Sequence, residues 1–163
     1  MTGDVIPARG VNYYQTARHD YLWPFRPTAA YTKSADITYI NLEAPLFAGC
    51  PVSPAESFTF CGDARTVNGL TYMGADVVNL ANNHLSNYGA QGITATDLLL
   101  HQHGMQTSGL GPVALINVRG LKFGFVGFNG VGVAIDRTAL KAGIARARQL
   151  ADVVVVQFHW GKE

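Results

Sequence analysis

An apolar run at residues 77–80 leads directly into a polar segment that contains Asn82, Asn83 and His84. The run has the length and the β-branched character of a buried strand, and Gly89 marks a break after the polar segment. In sheets of parallel strands, ligands bind at the carboxyl ends of the strands. The segment therefore predicts an α/β fold with a functional site at the end of this strand.

Composition narrows the classes of protein to which this chain can belong. The 163 residues are 48% hydrophobic and 14% charged, which predicts a single globular domain over residues 1–163 with a core of its own. A net charge of +1 without a basic cluster argues against a nucleic-acid partner. No apolar run reaches the roughly 18 residues of a membrane helix, so a membrane tether is expected only outside this chain. Turn-type residues at the start and a strand just before the end lead us to expect truncation at both ends.

Predicted strands and helices alternate along the chain, which indicates an α/β protein. The strands are predicted at residues 36–42, 77–80, 112–118, 121–128 and 152–158. The helices are predicted at residues 29–34, 63–73, 91–103 and after Asp136, whose side chain suits a helix N-cap. Arg119 and Gly120 form a tight turn between two of the strands, so their sheet is expected to be mixed.

Two segments stand apart from this alternation. Residues 13–27 are rich in aromatic side chains but have neither helical nor strand periodicity. We expect a loop there that packs its rings on the domain or offers them to a substrate. The run at 152–158 is continuous in β-branched residues, which is typical of a strand buried on both faces.

Cys50 and Cys61 lie eleven positions apart in a loop rich in proline and small residues. In an oxidising compartment this spacing favours a disulfide, whereas in a reducing compartment the two thiols stay free. Two cysteines are too few ligands for a zinc site. The sequence leaves both states of the pair open.

Polar side chains that can bind metal occur at four predicted strand ends, namely Asp4, Glu43, Asn83 with His84, and His159. Because strands of one sheet bring such ends to one edge, we expect these side chains to lie together. Carboxylate, amide and imidazole groups suit manganese, iron or zinc. Taken singly, each has a plainer explanation, since Asp4 and Arg9 also fit a surface turn and carboxylates are common in ordinary loops.

Five motifs occur in order along the chain. They are Gly3-Asp4-x-x-x-x-Arg9, Asn41-Leu42-Glu43-x-Pro45-Leu46, Ala81-Asn82-Asn83-His84-x-x-x-Tyr88-Gly89, Gly127-Phe128 and His159-Trp160-Gly161-x-Glu163. Together they resemble the CapA-type poly-γ-glutamate capsule biosynthesis proteins, a family similar to the calcineurin-like metallophosphoesterases. The resemblance implies a sandwich of mixed β-sheets flanked by helices, with a dinuclear centre of manganese, iron or zinc at the strand ends.

The resemblance also implies roles for individual residues. His84 and Arg9 would be catalytic, with His84 as the acid or the transition-state stabiliser beside the metals. Asn41 and Glu163 would bind the substrate. The metal ligands would be Asp4, Glu43, Asn83 and His159.

This chain departs from the metallophosphoesterase pattern at three places. Ile6 stands where the wider family has the histidine of an Asp-x-His motif, and Asn87 stands where an aspartate often orients the motif histidine. The late histidine motif that would complete the centre does not occur before Glu163. We therefore expect a weak or vacant metal site in this chain, whatever the longer protein does.

Three functions remain open from the sequence. The first is a metal-dependent hydrolase of the phosphoesterase type, acting on a phosphoester or on polyglutamate. The second is a non-catalytic module that binds an anionic polymer during capsule assembly or export, and the third is a structural domain whose polar residues only cap loops. The resemblance further implies an extracytoplasmic, membrane-anchored full-length protein, with other capsule-synthesis proteins as partners.

Overall fold

The computed structural model describes residues 1–54 and 57–161. The strands are β1 (Asp4–Val5), β2 (Tyr39–Leu42), β3 (Leu46–Phe47), β4 (Gly62–Asp63), β5 (Val77–Asn79), β6 (Gln106–Ser108), β7 (Ala114–Val118), β8 (Leu121–Asn129) and β9 (Val153–His159). The helices are α1 (Arg9–Arg18), α2 (Arg26–Lys33), α3 (Val67–Tyr72), α4 (Gly89–Gln102) and α5 (Arg137–Leu150). Within these residues, no helix combines the length and the apolar character that crossing a membrane requires.

Two main sheets form the body of the domain. The first has the strand order β1-β2-β5-β6 and is parallel throughout. The second has the order β7-β8-β9 and is mixed, because β7 and β8 form an antiparallel hairpin while β8 and β9 are parallel. A short parallel pair, β3 with β4, lies apart from both. The predicted fold class, an α/β sandwich of sheets flanked by helices, is confirmed, with the mixed pairing confined to the second sheet.

Alternation along β2 and β5 sends neighbouring side chains to opposite faces of the first sheet. Ile40, Leu42 and Val78 are fully buried in the main core, which also contains residues of the helices α2, α3 and α4. Tyr39 and Val77 pack instead against residues of β7 and β8 in the second sheet. Because Asn41 and Asn79 follow the same alternation, two amides lie on the face that turns toward the second sheet.

Gly127 in β8 allows the two sheets to approach closely beside these amides. A Cβ atom at this position would lie far inside contact distance of the side-chain amide of Asn79. The same interface contains Tyr39, whose ring meets that of Phe125 edge to face with 4.9 Å between centroids. The hydroxyl of Tyr39 lies 2.8 Å from Oγ of Ser108, so its polar end is satisfied.

Tyr39 yields a prediction for alkaline solution. Burial raises the pKa of its phenol to about 12 in the folded chain, whereas the unfolded chain releases this proton at about 10. Since the folded state then holds more protons, this contribution to stability is complete below pH 10 and declines as the pH rises toward 12, by about 3 kcal/mol in total. Urea denaturation on both sides of pH 10 should show this decline, and Tyr39→Phe should lack it. Equal pH dependence in the two proteins would contradict the prediction.

The aromatic segment 13–27 was predicted as a loop, which is correct for residues 19–25 but wrong for the helical residues at both ends. Helix α1 covers Arg9–Arg18, and α2 begins at Arg26. The residues that α1 buries are Asn12 and Gln15, both polar, so the helix has no apolar stripe to show in the sequence. Its N-cap residue, Ala8, makes no side-chain capping bond, which removes the other signal.

Strand β9 is less buried than its composition suggested. All seven residues of Val153–His159 are partly exposed, whereas the sequence predicted a strand buried on both faces. The reason lies in its position, because among the described residues β9 pairs with β8 alone and forms the edge of its sheet. The β-branched run therefore predicted the strand correctly but not its environment.

A disulfide joins Cys50 to Cys61, with 5.9 Å between their Cα atoms. This settles the pair in favour of the oxidised state. The loop that it closes is attached to α1 through Asn12, whose Nδ2 donates to the carbonyl of Pro51 at 3.3 Å and whose Oδ1 accepts from the backbone N–H of Asp63 at 2.9 Å. One buried side chain therefore holds the backbone just beyond each cysteine.

Removal of this disulfide is expected to destabilise the domain. Closing a loop of this length lowers the entropy of the unfolded chain, so Cys50→Ser with Cys61→Ser should lower the free energy of unfolding by about 3 kcal/mol. Urea denaturation of the wild type, with and without reductant, provides the comparison. The reduced wild type should match the double variant, and an unchanged midpoint in both would refute the expectation.

Candidate metal centre

Asn41 lies at the middle of the site and connects the strands that carry the other polar residues. Its side chain is fully buried. Its Oδ1 accepts hydrogen bonds from Nδ2 of Asn79 at 2.8 Å and from Nδ2 of Asn82 at 3.3 Å. Its Nδ2 donates to Oδ1 of Asp4 at 2.8 Å and lies 3.3 Å from Nδ1 of His159. The amide thus fixes a carboxylate of the first sheet relative to an imidazole of the second.

Asp4, Glu43 and His159 converge at this point, with one ligand atom of each within 4.8 Å of the others. Nδ1 of His159 is 3.6 Å from Oδ1 of Asp4, and its Nε2 is 3.4 Å from Oε1 of Glu43. Asp4 begins β1, Glu43 follows β2 and His159 ends β9. The carboxylate of Glu43 is buried, while that of Asp4 faces the solvent with 46% of its side chain exposed.

Asn83 adds a fourth group to the cluster. Its Oδ1 lies 2.9 Å from Nε2 of His159, the same nitrogen that faces Glu43. An amide oxygen, a carboxylate oxygen and an imidazole nitrogen therefore point toward one another. The two oxygens carry lone pairs that can bind a cation, and the imidazole nitrogen can bind one once it gives up its hydrogen.

The donor set fits a divalent ion. Oxygen ligands together with an imidazole nitrogen suit manganese, iron or zinc. Two carboxylates, those of Asp4 and Glu43, each offer an oxygen within 4.8 Å of the other, and a divalent ion would offset their negative charge. The ligands for a second ion are fewer, because Ile6 has no ligand atom in the place of the family histidine. The residues present therefore fit one ion better than two.

His84 lies next to this cluster and is almost completely buried. Its Nε2 is 3.9 Å from Oε1 of Glu43. Its Nδ1 is 2.9 Å from Oδ1 of Asn87, the residue that stands in place of the family aspartate. The ring stacks on Phe60, with 3.9 Å between centroids. One nitrogen of the imidazole thus faces the candidate metal-ligand cluster, while the other contacts the amide of Asn87.

Comparison with known families decides what kind of protein this is. A family model described as "Bacterial capsule synthesis protein PGA_cap" matches residues 1–163, the whole chain. The chain belongs to this family. The resemblance stated from the sequence is therefore confirmed. The residues predicted as metal ligands, Asp4, Glu43, Asn83 and His159, lie close together in the structure.

The chain is similar to curated proteins that are named for capsule or polyglutamine synthesis. It is 28% identical to the capsule biosynthesis protein CapA of Bacillus anthracis, in an alignment that covers 100% of this chain and 46% of that protein. It is 31% identical to a probable polyglutamine synthesis accessory protein of Mycobacterium tuberculosis, over 68% of this chain and 30% of that protein. The chain thus spans less than half the length of these relatives.

A solved structure supports the fold. A hypothetical protein from Thermus thermophilus superposes with a TM-score of 0.55 at 17% sequence identity. The match covers 88% of this chain and 53% of that protein. At this identity the likeness supports the shared fold and carries no information on activity.

Three predicted site residues fall outside the convergent cluster or differ from the expected placement. Asn41 was expected to contact substrate, but its burial and four polar neighbours place it beneath the site, where it positions Asp4 and His159. Arg9 lines a cavity of about 170 Å³ beside the disulfide loop, and its catalytic role stays a prediction. Glu163 lies outside the described residues.

Asn79 and Phe60, which shape the site, were missed in the sequence, whereas Asn82 was named in the site segment without a role. Asn79 and Asn82 both donate to Asn41, and Phe60 covers the ring of His84. The amide of Asn79 had a detectable signal, because a polar residue inside a buried strand requires a partner. Phe60 had none, since its contact with His84 joins residues far apart in the chain.

Proposed function

We propose that this chain carries the site of a metal-dependent hydrolase of the phosphoesterase type that acts in the synthesis of an anionic capsule polymer. One observation supports this proposal above others. Oε1 of Glu43, Oδ1 of Asn83 and Nε2 of His159 point toward one another directly beside a buried histidine, His84. A ligand set next to a proton donor is what such hydrolysis requires.

Asp4, Glu43, Asn83 and His159 would hold divalent ions, namely manganese, iron or zinc, with two ions in the longer protein. When bound, the ions supply activation of water and stabilisation of negative charge on the group under attack. The protein's own contribution is to fix the ligands before binding. Asn41 does so by donating to Asp4 while its other hydrogen-bonding atom is occupied by Asn79 and Asn82.

In the form that carries hydrogen on both ring nitrogens, His84 would deliver the Nε2 proton to the departing oxygen. Its position beside Glu43 brings Nε2 to the edge of the ligand cluster, and Asn87 holds the opposite nitrogen. Burial of the ring keeps bulk water away from it, which preserves its orientation. Proton transfer by a positioned imidazole contributes about 10²- to 10⁴-fold to the rates of such reactions.

The substrate would be an anionic polymer or a phosphoester, by inference from the names of the relatives. Polyglutamate carries a carboxylate on each residue, and a cation-binding site can bind such groups. The disulfide supports an extracytoplasmic location for a membrane-anchored full-length protein, because disulfides persist in oxidising compartments. Other capsule-synthesis proteins would be its partners.

The test uses the full-length protein, with phosphodiester and polyglutamate substrates offered in parallel. Metal content is measured first, and activity is then followed through chelation and re-addition of manganese, iron or zinc. We expect hydrolysis of one substrate class that disappears on chelation and returns with the metal. Hydrolysis that is indifferent to chelation would contradict the metal-dependent mechanism.

A non-catalytic module that binds the polymer is the second candidate. The departures at Ile6 and Asn87 favour it, because the first removes a metal ligand and the second replaces a charged partner of His84 with a neutral one. Binding of polyglutamate that survives chelation, Asp4→Ala and His84→Ala, without hydrolysis, would support this candidate over the first.

A further inference from the structure

We propose that Phe60 and Asn87 set the orientation and the tautomer of His84, and that the Cys50–Cys61 disulfide holds Phe60 in the position that this requires. The inference rests on the proposed function in one respect, because His84 is there the proton donor. In every other respect it concerns the geometry of the protein alone.

The stack with Phe60 fixes the plane of the imidazole. The two rings are inclined by 23° with 3.9 Å between centroids, and both side chains are buried. Phe60 also belongs to a buried cluster with Ala8 and Ala44, and its ring stacks on that of Phe58 with 6.4 Å between centroids. Ala44 directly follows Glu43, so Phe60 contacts both the histidine and a residue next to the candidate metal ligand. A ring confined in this way leaves the imidazole little freedom to tilt.

The tautomer follows from the backbone of Phe60. Its N–H can only donate, and it points at Oδ1 of Asn87 at 2.6 Å, which fixes the oxygen rather than the nitrogen of that amide in this place. The same Oδ1 lies 2.9 Å from Nδ1 of His84. Because a carbonyl oxygen only accepts, Nδ1 must carry the hydrogen. In the neutral ring Nε2, the nitrogen that faces Glu43, then carries no hydrogen, so it must accept a proton before His84 can act as the proton donor.

This arrangement replaces a charge with a hydrogen-bond chain. An aspartate at position 87 would select the same tautomer through its negative charge. Here the neutral amide of Asn87 is aligned by the backbone N–H of Phe60, which lies in the disulfide loop. Asn87 can therefore orient His84 only while Phe60 stays in place.

The disulfide supplies the restraint on Phe60. Cys61 follows Phe60 directly, and its bond to Cys50 closes the loop that contains Phe60. On the next residue, the N–H of Gly62 donates to the carbonyl of Pro45 at 2.9 Å, which ties the loop to the segment after Glu43. Asn12 holds the backbone beyond both cysteines. Phe60 is thus fixed by a covalent link and by two flanking attachments.

The first experiment reads the tautomer directly. Metal-free protein with ¹⁵N-labelled histidine is measured by long-range ¹H–¹⁵N NMR at a pH where His84 is neutral. We expect the ¹⁵N chemical shift of Nδ1 in His84 to be that of a protonated nitrogen and the shift of Nε2 to be that of an unprotonated one. The ring protons of His84 should be shifted upfield by the ring current of Phe60. A major tautomer with the hydrogen on Nε2 would overturn the proposal.

Substitutions separate the effect of Phe60 on the orientation of His84 from the effect of Asn87 on its tautomer. Phe60→Leu should abolish the upfield shift and weaken the tautomer preference, while Phe60→Tyr, which keeps the ring, should retain both. Tyr31→Leu, which removes an exposed ring in α2, should leave both unchanged. Asn87→Leu should produce mixed tautomers and Asn87→Asp should preserve the native one. Native spectra in Phe60→Leu and Asn87→Leu would overturn the assigned roles.

The disulfide is tested in the same spectra. In the Cys50→Ser, Cys61→Ser double variant, measured where it remains folded, the shift of the His84 ring protons should be reduced. An unchanged shift in the folded double variant would overturn the role of the disulfide. If the double variant does not fold, selective reduction of the folded wild type, in which dithiothreitol becomes a cyclic disulfide as the protein bond yields two thiols, provides the same reading.

Enzyme activity provides an independent test of the role of Phe60. If the full-length protein hydrolyses a substrate, Phe60→Leu should lower kcat by about 10- to 100-fold, the range typical of removing a group that orients a histidine in a metal site, with KM unchanged. A fall in thermal stability with native kcat would overturn the positioning role. If no hydrolysis is found with any metal, the proposed function fails, yet the NMR experiment still decides this inference.

Discussion

Replacing His84 with glutamine in the full-length protein is expected to lower kcat by about 10²- to 10⁴-fold, the usual contribution of a positioned acid or base. Glutamine keeps much of the volume beneath Phe60 and retains a hydrogen-bonding side chain, but it cannot transfer a proton. Metal content, measured by elemental analysis, should be unchanged, because His84 is adjacent to the ligand cluster without supplying one of its converging atoms.

The matched control for this substitution is His101→Gln. His101 is also an imidazole but lies at the end of α4, where it contacts Asp97 and Thr107 and is substantially exposed. Its replacement should leave kcat within a factor of about two of the wild type, as surface substitutions generally do little. Equal losses from the two substitutions, or an active His84→Gln, would exclude His84 as the proton donor.

Replacing Glu43 with glutamine should weaken binding of the divalent ion by more than about 100-fold. Loss of a group that merely orients a ligand already costs about 10- to 100-fold in affinity, and Glu43 contributes a buried charge to the cluster itself. The substitution keeps the shape of the side chain, so the measured loss reflects charge and ligand strength. Calorimetric titration with manganese or zinc measures it.

Asp97→Asn is the control for the metal experiment, because Asp97 is a carboxylate in α4 outside the cluster. It should leave the affinity unchanged. The titration also gives the number of ions that the wild type binds. We expect weak binding of one divalent ion, because the chain has fewer ligands for a second. Tight binding of two ions by this chain would refute that expectation, and unaltered affinity in Glu43→Gln would exclude Glu43 as a ligand.

The convergence of the candidate metal ligands was predictable in part from general properties of strands. Glu43 and Asn83 follow the carboxyl ends of the neighbouring parallel strands β2 and β5, as expected. Asp4 instead begins β1, and it reaches the same place because it pairs with Asn41 near the end of β2. The hairpin was predictable for a local reason. Arg119 and Gly120 both adopt positive φ, at 51° and 82°, as a tight turn of this kind requires.

What escaped prediction depends on contacts between distant parts of the chain. Helix α1 buries Asn12 and Gln15, and their burial is made favourable by partners such as the carbonyl of Pro51 and the hydroxyl of Thr66. A pattern of apolar residues cannot reveal a helix that packs through amides. The cover of His84 by Phe60 is of the same kind, because only the closed disulfide loop brings the two rings together.

The hydrogen-bonding contact between Asn41 and His159 joins residues 118 positions apart and spans the two sheets. In an unfolded chain the candidate ligand atoms would therefore lie far apart. A divalent ion would bind with full affinity only after the two sheets have packed together. Metal binding would stabilise the folded state after it forms and would not nucleate folding. Local unfolding of β9, the edge strand of the second sheet, should then release the ion while the first sheet remains folded.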